Sequence, residues 1–328
     1  MPWRDDAAGA ERLTRLCGDL ARLVLADNDV TEGVVNPQDG RLRLDTWSRG
    51  RVVTDVVLRP TELEMWLNVV AAAHDLALGP QRPALAAQLP DAAPYGGARL
   101  QAFIPPVTAG CALVIRKRPT YTPTLDEYVE RGRMPAAFRD VLGQAVEDRA
   151  TLAITGGTGT GKTTLGRAYL GEIHRRCPDD RLVIIEDTPE LFCEADDHLP
   201  LRTAPGVSFR DLIEHTLRAS PTRIILGELR DAAALDFLDA SATGHPGGFC
   251  TTHAESAMGA LHRLDRLAQR ANVPPQPALV AEAVGLVVVL CGGNANRRVA
   301  DLVRVSGFTP EAGYTLHRCT ERGQWIAA

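Results

Sequence analysis

The stretch that decides the fold is TLAITGGTGTGKTT, Thr151–Thr164, which continues into LGRAYLGEIHRR. Its first five residues have the apolar character of a short buried strand, and the continuation is typical of a helix. Between them, Gly156, Gly161, Lys162 and Thr163 match the pattern G-x-x-x-x-G-K-[ST] in full. The sequence therefore predicts a phosphate-binding loop, because a glycine-rich turn that matched by chance would lack this strand and helix.

The residue types of this loop suit a nucleotide. Glycines let successive backbone N–H groups turn toward phosphate oxygens, and a helix that begins near Gly161 directs its positive end at the same anion. Lys162 is expected to reach the β- and γ-phosphates, and the Thr163 hydroxyl to bind Mg²⁺. The residues predicted to contact the nucleotide are Gly157, Thr158, Gly159, Thr160, Gly161, Lys162, Thr163 and Thr164.

Acidic residues follow two further apolar strands. The run RLVIIEDTPEL carries Glu186, Asp187 and Glu190, and the run PTRIILGELRD carries Glu228 and Asp231. In doubly wound sheets, ligands bind beyond the carboxyl ends of the strands. Glu186 and Glu228 are therefore expected near the phosphate loop, where a carboxylate holds the metal or orients water. For Glu190 and Asp231, a helix N-cap or a solvated loop is an equal alternative.

The run TGHPGGFCTTHAES, residues 243–256, contains His245, Cys250 and His253. A metal site is disfavoured because the run offers no fourth ligand, and Cys250 and His253 would point to opposite faces of a strand. A buried core position suits Cys250. For His253 we expect a sensing role, in which the imidazole donates to a phosphate oxygen and loses that partner after hydrolysis. For His245, stabilising the loop is the alternative.

The chain is long enough for two domains. Up to about Pro119 the patterns predict an α+β domain, with strands such as RLRLDTW and VVTDVVL and a helix in PTELEMWLNVVAAAHDLAL. After Met134, short apolar strands alternate with helical segments, which predicts a mostly parallel, helix-covered sheet. We therefore predict an α/β protein: an N-terminal domain over 1–119, a Pro-rich linker over 120–134 and a nucleotide-binding domain over 135–328.

Composition excludes several classes of protein. With a net charge of -5 there is no global basic field for nucleic acid, so direct nucleic-acid binding is disfavoured. The one dense basic run is VIRKR, Val114–Arg118, for which a solvated strand end is the alternative. The seven cysteines are odd in number and form no C-x-x-C pair, which indicates a reducing compartment. No run approaches the roughly 18 apolar residues of a membrane-spanning helix, so a cytoplasmic protein is expected.

Four boxes in a fixed order give a specific resemblance. GGTGTGKTT, VIIEDTPEL, SPTRIILGELRDAAALDFLDA and TGHPGGFCTTHAES resemble the Walker A, Asp, Walker B and His boxes of the type II/type IV secretion traffic ATPases. The chain is most similar to the conjugal-transfer TrbB branch of P-type type IV secretion. DVTEGVVNPQDGRL, LQAFIPPV and VIRKRPTYTPTLDEYVERG of the N-terminal half also resemble that branch, so the resemblance covers nearly the whole chain.

The resemblance implies a hexameric ring in which the N-terminal domain is joined to a RecA-like P-loop motor domain that hydrolyses ATP with Mg²⁺. It implies inner-membrane components of a type IV secretion channel as partners, with peripheral contact to the inner membrane. By the same resemblance Glu228 polarises the attacking water and His253 senses the γ-phosphate. The metal and its waters fall to Thr163, Glu186 and Asp187. The basic residues expected to reach the phosphates are Arg116, Arg118 and Arg133.

The Walker B strand ends IILGE, with Gly227 where many P-loop enzymes carry a metal-binding Asp. The resembling family shares this feature, which leaves the division of roles between Glu186 and Glu228 open. Three alternative functions remain: an ATPase of type II secretion or pilus retraction, a nucleic-acid motor, and a nucleotide-gated scaffold with negligible turnover. ATP is favoured over GTP by the resemblance, and the sequence has no guanine-reading N-K-x-D motif.

Overall fold

The computed structural model describes residues 18–46, 48–90, 94–118, 122–293 and 296–328. Three features of the sequence interpretation fall outside these ranges: residues 10–17 of the first helical pattern with Cys17, Trp47 at the end of a predicted strand, and residues 119–121 of the predicted linker. The chain divides into two compact units, Met1–Tyr121 and Thr122–Ala328. The division falls inside the predicted linker 120–134, and the second unit contains the linker's described residues.

The N-terminal unit is an antiparallel sheet with a helix. The sheet has six strands in the order β3-β2-β1-β6-β5-β4. These strands are β1 (Val30–Val35), β2 (Arg41–Thr46), β3 (Gly50–Val57), β4 (Ala84–Gln88), β5 (Arg99–Phe103) and β6 (Ala112–Arg116). A π-helical turn, Ala21–Leu25, precedes β1. Neither β1 (VTEGVV) nor β4 (ALAAQ) was predicted: β4 is rich in Ala, which has a low strand propensity, and β1 is interrupted by Gly33.

Helix α1 (Pro60–Ala73) follows β3 and begins, as predicted, with a proline in its first turn. Its buried residues recur at helical spacing and include Leu63, Trp66, Leu67 and Val70. They share one core with alternate residues of the strands, such as Leu42 and Leu44 of β2. Alternation of buried and exposed positions in β2 follows from a sheet that has one packed face.

The second unit is built on a nine-stranded sheet in the order β15-β14-β13-β12-β7-β11-β10-β8-β9. The stretch from β12 to β9 is parallel, and β13, β14 and β15 add antiparallel strands at one edge. Its strands are β7 (Leu152–Gly156), β8 (Leu182–Glu186), β9 (His198–Arg202), β10 (Arg223–Leu226), β11 (Phe249–Thr252), β12 (Leu286–Cys291), β13 (Arg298–Thr309), β14 (Gly313–Cys319) and β15 (Trp325–Ala327). The short apolar runs TLAIT, RLVIIE, RIILG, GFCTT and LVVVL, which predict strands, are all present as β7, β8, β10, β11 and β12, whereas the antiparallel edge was not predicted.

Helices connect and cover these strands. They are α2 (Leu125–Glu130), α3 (Ala136–Glu147), α4 (Lys162–Arg176), α5 (Phe209–Thr216), α6 (Ala233–Thr243), α7 (Ala257–Ala268) and α8 (Pro277–Ala283), with a 3₁₀ turn at Gln269–Ala271. The central strands β7, β8, β10 and β11 are buried along their whole length, as expected for a parallel sheet between helical layers. The predicted α/β class is confirmed for this unit.

The parallel strands bring four loops to one edge of the sheet. The strands β7, β8, β10 and β11 run side by side in one direction, so the segments that follow Gly156, Glu186, Leu226 and Thr252 all lie at their carboxyl ends. These segments are the four boxes of the sequence analysis. Within the described ranges, no helix combines the length and the hydrophobicity needed to cross a membrane.

Candidate functional site

The predicted phosphate-binding loop lies between β7 and α4. Gly161 caps α4 with a left-handed backbone (φ 93°), a conformation that favours glycine. At Gly156 a side chain is excluded for a different reason, because a Cβ atom there would lie 2.6 Å from the Leu290 carbonyl oxygen and 2.7 Å from Thr160 Oγ1. The Thr160 hydroxyl in turn donates to the Gly157 carbonyl oxygen (2.9 Å). The loop is thus held in one shape by close contacts that only glycine permits.

Lys162, the first residue of α4, turns its side chain back into the loop. Its Nζ donates to the carbonyl oxygens of Gly156 (2.9 Å) and Gly157 (3.1 Å) and lies 3.2 Å from Nδ1 of His253. Burial lowers the pKa of Lys162, and the negative charge of Glu228 acts in the opposite direction. The Lys162 ammonium therefore contacts three acceptors, two carbonyl oxygens and one imidazole nitrogen. Phosphate oxygens are acceptors that could replace them.

His253 follows β11 and connects Lys162 to Glu228. Its Nε2 lies 3.0 Å from Oε1 of Glu228. Because an ammonium can only donate, Nδ1 must accept from Lys162, and this assigns the imidazole hydrogen to Nε2, which donates to the carboxylate. Lysine, imidazole and carboxylate thus form an unbroken line of contacts from the phosphate loop to the segment after β10.

The other oxygen of Glu228 is bound by Arg230, two residues along the same segment. Nη2 of Arg230 donates to Oε2 of Glu228 (2.7 Å), and Nη1 donates to Oδ2 of Asp187 (3.2 Å). The hydrogen bond from Arg230 holds the pKa of Glu228 below its ordinary value. Burial opposes this effect, and the charges of Arg230 and Lys162 reinforce it. Glu228 is therefore an ionised carboxylate, and Arg230 joins it to the segment that follows β8.

Glu186 occupies a buried position at the end of β8. Its Oε1 accepts from the backbone N–H groups of Glu190 and Leu191, each at 3.0 Å. Burial nevertheless raises the pKa of Glu186 to about 7, against these two hydrogen bonds. A Cβ atom at Gly227 would lie 2.9 Å from Cγ of Glu186. The glycine in the Walker B strand therefore leaves room for the Glu186 side chain, which takes up the space next to β10.

This geometry can be compared with known proteins. The sequence model of the family described as Type II/IV secretion system protein matches residues 86–324. The chain belongs to this family. The predicted resemblance to its conjugal-transfer branch is confirmed by relatives of similar length. Conjugal transfer protein TrbB of Rhizobium radiobacter is 38% identical over 300 residues, which cover 92% of this chain and 91% of the relative.

A second relative, type IV secretion system protein PtlH of Bordetella pertussis, is 38% identical over 325 residues, covering 85% of this chain and 91% of the relative. Among solved structures, the Legionella pneumophila ATPase DotB has a TM-score of 0.60 at 19% identity, covering 94% of this chain and 80% of that chain. A structural likeness at that identity supports the fold alone. The type II/IV secretion family therefore provides the context for the remaining residues of the site.

His245 and Cys250 lie away from the site of this secretion-family protein. His245 precedes β11, at the end of the strand opposite to His253, and its Nδ1 lies 2.9 Å from the Pro221 carbonyl oxygen. Cys250 is buried in the core, where burial raises the pKa of its thiol to about 12. The two histidines are separated by the whole strand, so the three residues cannot share one ion. His245 thus serves the loop before β11.

Two of the remaining acids lie close to backbone N–H groups. Oδ1 of Asp231 accepts from the backbone N–H of Ala233 at the start of α6 (3.0 Å), but the N-cap residue itself is Ala232, so Asp231 is not the N-cap. Glu190 contributes its backbone N–H to Glu186. Among the described residues, no group of three or more His, Cys, Asp or Glu side chains could hold a metal ion by itself. Mg²⁺ takes one or two carboxylates together with substrate phosphates, so this donor set fits a metal that arrives with a nucleotide.

The predicted basic residues divide between the two units. Arg116 ends β6, in register with Glu32 of β1, and Arg118 lies two residues further on, both in the N-terminal unit. Lys117 between them is buried, and its Nζ donates to the Asp27 carbonyl oxygen (2.6 Å), so the run VIRKR is not a continuous exposed basic patch. The predicted reach of Arg116 and Arg118 to a nucleotide stays a prediction.

Arg133 belongs to the second unit, where it is buried. Burial raises the pKa of the Tyr128 phenol, and the charges of Arg133, Arg297 and Arg167 oppose that rise.

Sequence reasoning did not single out Arg167 or Arg297. Arg297 lies against the phosphate loop, since a Cβ atom on Gly161 would be 3.6 Å from its Cδ. It follows β12, outside all four boxes, and no motif marked it. Arg230 could have been noted from its place two residues after Glu228.

Proposed function

We propose that this chain is a Mg²⁺-dependent ATPase with a RecA-like P-loop domain, which works as a hexameric ring and powers conjugative type IV secretion or pilus assembly. The observation that carries the proposal is the line of contacts from Lys162 through His253 to Glu228. It joins a cation that would bind phosphate to an ionised carboxylate that would orient the attacking water. Such a pairing serves hydrolysis of a phosphoanhydride better than binding alone.

Nucleotide binding would use the phosphate loop and the start of α4. The backbone N–H groups of residues 157–164 and the positive end of the helix favour an anion, and Lys162 exchanges its carbonyl partners for phosphate oxygens. The Thr163 hydroxyl, together with Glu186 and Asp187, would hold Mg²⁺ and its waters. When bound, the metal would neutralise charge on the β- and γ-phosphate oxygens. The raised pKa of Glu186 implies that this carboxyl gives up a proton when a cation arrives.

Hydrolysis would use Glu228 to accept a proton from the attacking water. The lowered pKa of Glu228 keeps it ionised at neutral pH, ready to orient that water. His253 would sense the γ-phosphate, because Lys162 leaves Nδ1 when it moves to the phosphate. The imidazole then changes its partners at each turnover. A change of hydrogen bonds at the end of β11 is the kind of local event that a ring of subunits converts into motion.

The cellular role rests on the family and on the relatives. The relatives TrbB and PtlH are named for conjugal transfer and type IV secretion. We extend that role to this chain, with inner-membrane components of the channel as partners and a cytoplasmic location at the inner membrane. Arg116 and Arg118 would supply charge at the nucleotide, from the same subunit or from its neighbour in the ring.

The test is ATP hydrolysis by the purified protein with and without Mg²⁺, with the mass in solution measured by light scattering. Turnover that requires Mg²⁺ and is abolished in Lys162→Ala supports the proposal, as does a hexamer mass with Mg-ATP. Arg175→Ala is the matched control, because Arg175 lies on the same helix with a mostly exposed side chain paired with Glu172. A monomer that binds ATP without hydrolysing it would favour the nucleotide-gated scaffold. Salt-sensitive binding to single-stranded DNA would favour a nucleic-acid motor.

A further inference from the structure

Arg167 is a buried cation that the proposed reaction does not use. It lies on α4, five residues after Lys162, and only 2% of its surface is exposed. Guanidinium groups stay charged in proteins, and burying one is unfavourable unless neighbouring groups compensate. Burial lowers the pKa of Arg167, and the charges of Glu190, Tyr128 and Glu186 raise it. A buried charge at Arg167 therefore indicates that this residue has a structural or functional role.

The contacts of Arg167 join three segments of the second unit. Its Nη2 donates to Oγ1 of Thr122 (2.9 Å), in the first residue of that unit. Its Cζ lies 5.1 Å from the ring centroid of Phe192, a cation–π distance. Phe192 belongs to residues 187–197, which connect β8 to β9 and which we name the acidic loop. The guanidinium thus lies between the helix of the phosphate loop, the acidic loop and the start of the unit.

The acidic loop contains no helix or strand, so its position depends on contacts with side chains. Two of these contacts are hydrogen bonds from the backbone N–H groups of Glu190 and Leu191 to the Glu186 side chain. Leu191 is also buried, and a Cβ atom on Gly166 of α4 would lie 3.5 Å from its Cδ2. Phe192 on Arg167 is the next anchor along the loop. Consecutive residues of α4 therefore hold consecutive residues of the acidic loop.

We propose that Arg167 is a positioning residue, which fixes the acidic loop against α4 so that Glu186 and Asp187 face the phosphate loop, and which connects this arrangement to Thr122. The expected effect of Arg167 on ATP turnover rests on the proposed function. The expected effect of Arg167 on the position of the acidic loop does not depend on that function. Arg167 itself need not touch the nucleotide, since it acts through Phe192 and through the carboxyl groups that it faces.

The experiment compares Arg167→Met and Arg167→Lys with the control Arg175→Met on the exposed side of the same helix. The first readout is hydrogen–deuterium exchange of the acidic-loop amides without nucleotide. Arg167→Met is expected to raise exchange at Glu190 and Leu191 at least ~10-fold, because the loop opens locally. The peptides of β8 and α4 should keep their protection. Arg167→Lys should restore part of it, and Arg175→Met should change nothing.

The second readout separates kcat from binding. With the phosphate loop intact, Arg167→Met should lower kcat about 10-fold or more and change the Kd for ATP less than ~3-fold. Thr122→Val, which removes one hydrogen bond and keeps the charge, is the milder variant should Arg167→Met fold poorly; it should raise loop exchange to a smaller degree. Unchanged loop exchange in both variants overturns the proposal, and so does faster exchange across β8 and α4 to the same degree.

These outcomes differ from a failure of the proposed function. If the wild-type protein hydrolyses no nucleotide, the ATPase proposal fails, and the exchange measurement still decides whether Arg167 holds the acidic loop. If the wild type hydrolyses ATP and Arg167→Met opens the loop with unchanged kcat, the loop is fixed by Arg167 but does not serve the reaction. That result overturns the positioning role and leaves the ATPase assignment standing.

Discussion

Replacing Glu186 with glutamine should stabilise the protein and should do so increasingly as the pH rises. The amide oxygen of glutamine can still accept from the N–H groups of Glu190 and Leu191, so the two hydrogen bonds to the side chain are kept. Glutamine cannot ionise. The comparison therefore isolates the cost of carrying a negative charge at this buried position, where burial raises the pKa of the glutamate from its ordinary 4.5 to about 7.

The sign follows from the two protonation states. Below about pH 4.5 the carboxyl is neutral in both the folded and the unfolded chain, and its raised pKa costs nothing. Between about pH 4.5 and 7 the unfolded chain releases this proton while the folded chain still holds it, so the folded protein loses stability across this window, and above about pH 7 the loss levels off. From these pKa values, the wild type should be less stable than Glu186→Gln by about 1 kcal/mol at pH 5, rising to about 3 kcal/mol at pH 8.

The assay is urea unfolding of both proteins across this pH range, in the absence of nucleotide and Mg²⁺. The free energy of unfolding is taken for the transition of the second unit. A difference between the two proteins that stays constant between pH 5 and 7, or that shrinks as the pH rises, would show that ionising Glu186 does not destabilise the folded protein. The same variant should hydrolyse ATP more slowly, since the proposed Mg²⁺ site would lose one of its carboxylates.

Three further predictions concern neighbouring residues. Arg230→Gln removes the hydrogen bond that lowers the pKa of Glu228, so the acid limb of the pH profile of kcat/KM should move to higher pH. The shift should be less than about one pH unit, because Arg230 is largely exposed. An unchanged acid limb would contradict this role of Arg230. Gly227→Ala places a methyl group 2.9 Å from Cγ of Glu186 and should destabilise the protein by about 1–3 kcal/mol in urea unfolding; wild-type stability would contradict the packing. Arg116→Ala should cut ATP turnover more than ATP affinity, and unchanged turnover would remove Arg116 from the reaction.

The parts of the fold that were predictable depend on local patterns. The phosphate loop was predictable because glycines, a lysine and a threonine lie at fixed spacing between a strand and a helix. The central strands were predictable because strands buried on both faces are continuous apolar runs. Strands β13 and β14 were not predicted, although they are long, because polar and charged residues interrupt their apolar residues and leave no continuous apolar run. Strand β4 (ALAAQ) was missed because alanine and glutamine carry a weak strand signal.

The site was predictable as a set of residues and not as a set of contacts. The four boxes placed Lys162, Glu228 and His253 at one edge of the sheet, and the structure brings them into direct contact. The unusual glycine at 227 was visible in the sequence. Gly227 makes room for Glu186 because β8 and β10 are neighbouring strands. No local sequence pattern predicts that these two strands pair. The same holds for Arg230 and Asp187, which lie on different segments.

The most direct test of the proposed hydrolysis is to measure ATP turnover by Glu228→Gln together with the equilibrium affinity of this variant for ATP. The variant should bind ATP within about threefold of the wild type, because Lys162 and the phosphate loop are untouched. Its turnover should fall by about 10²- to 10⁴-fold, the usual contribution of a positioned general base. A variant that hydrolyses ATP at the wild-type rate would contradict the proposal, since Glu228 would then have no part in activating water.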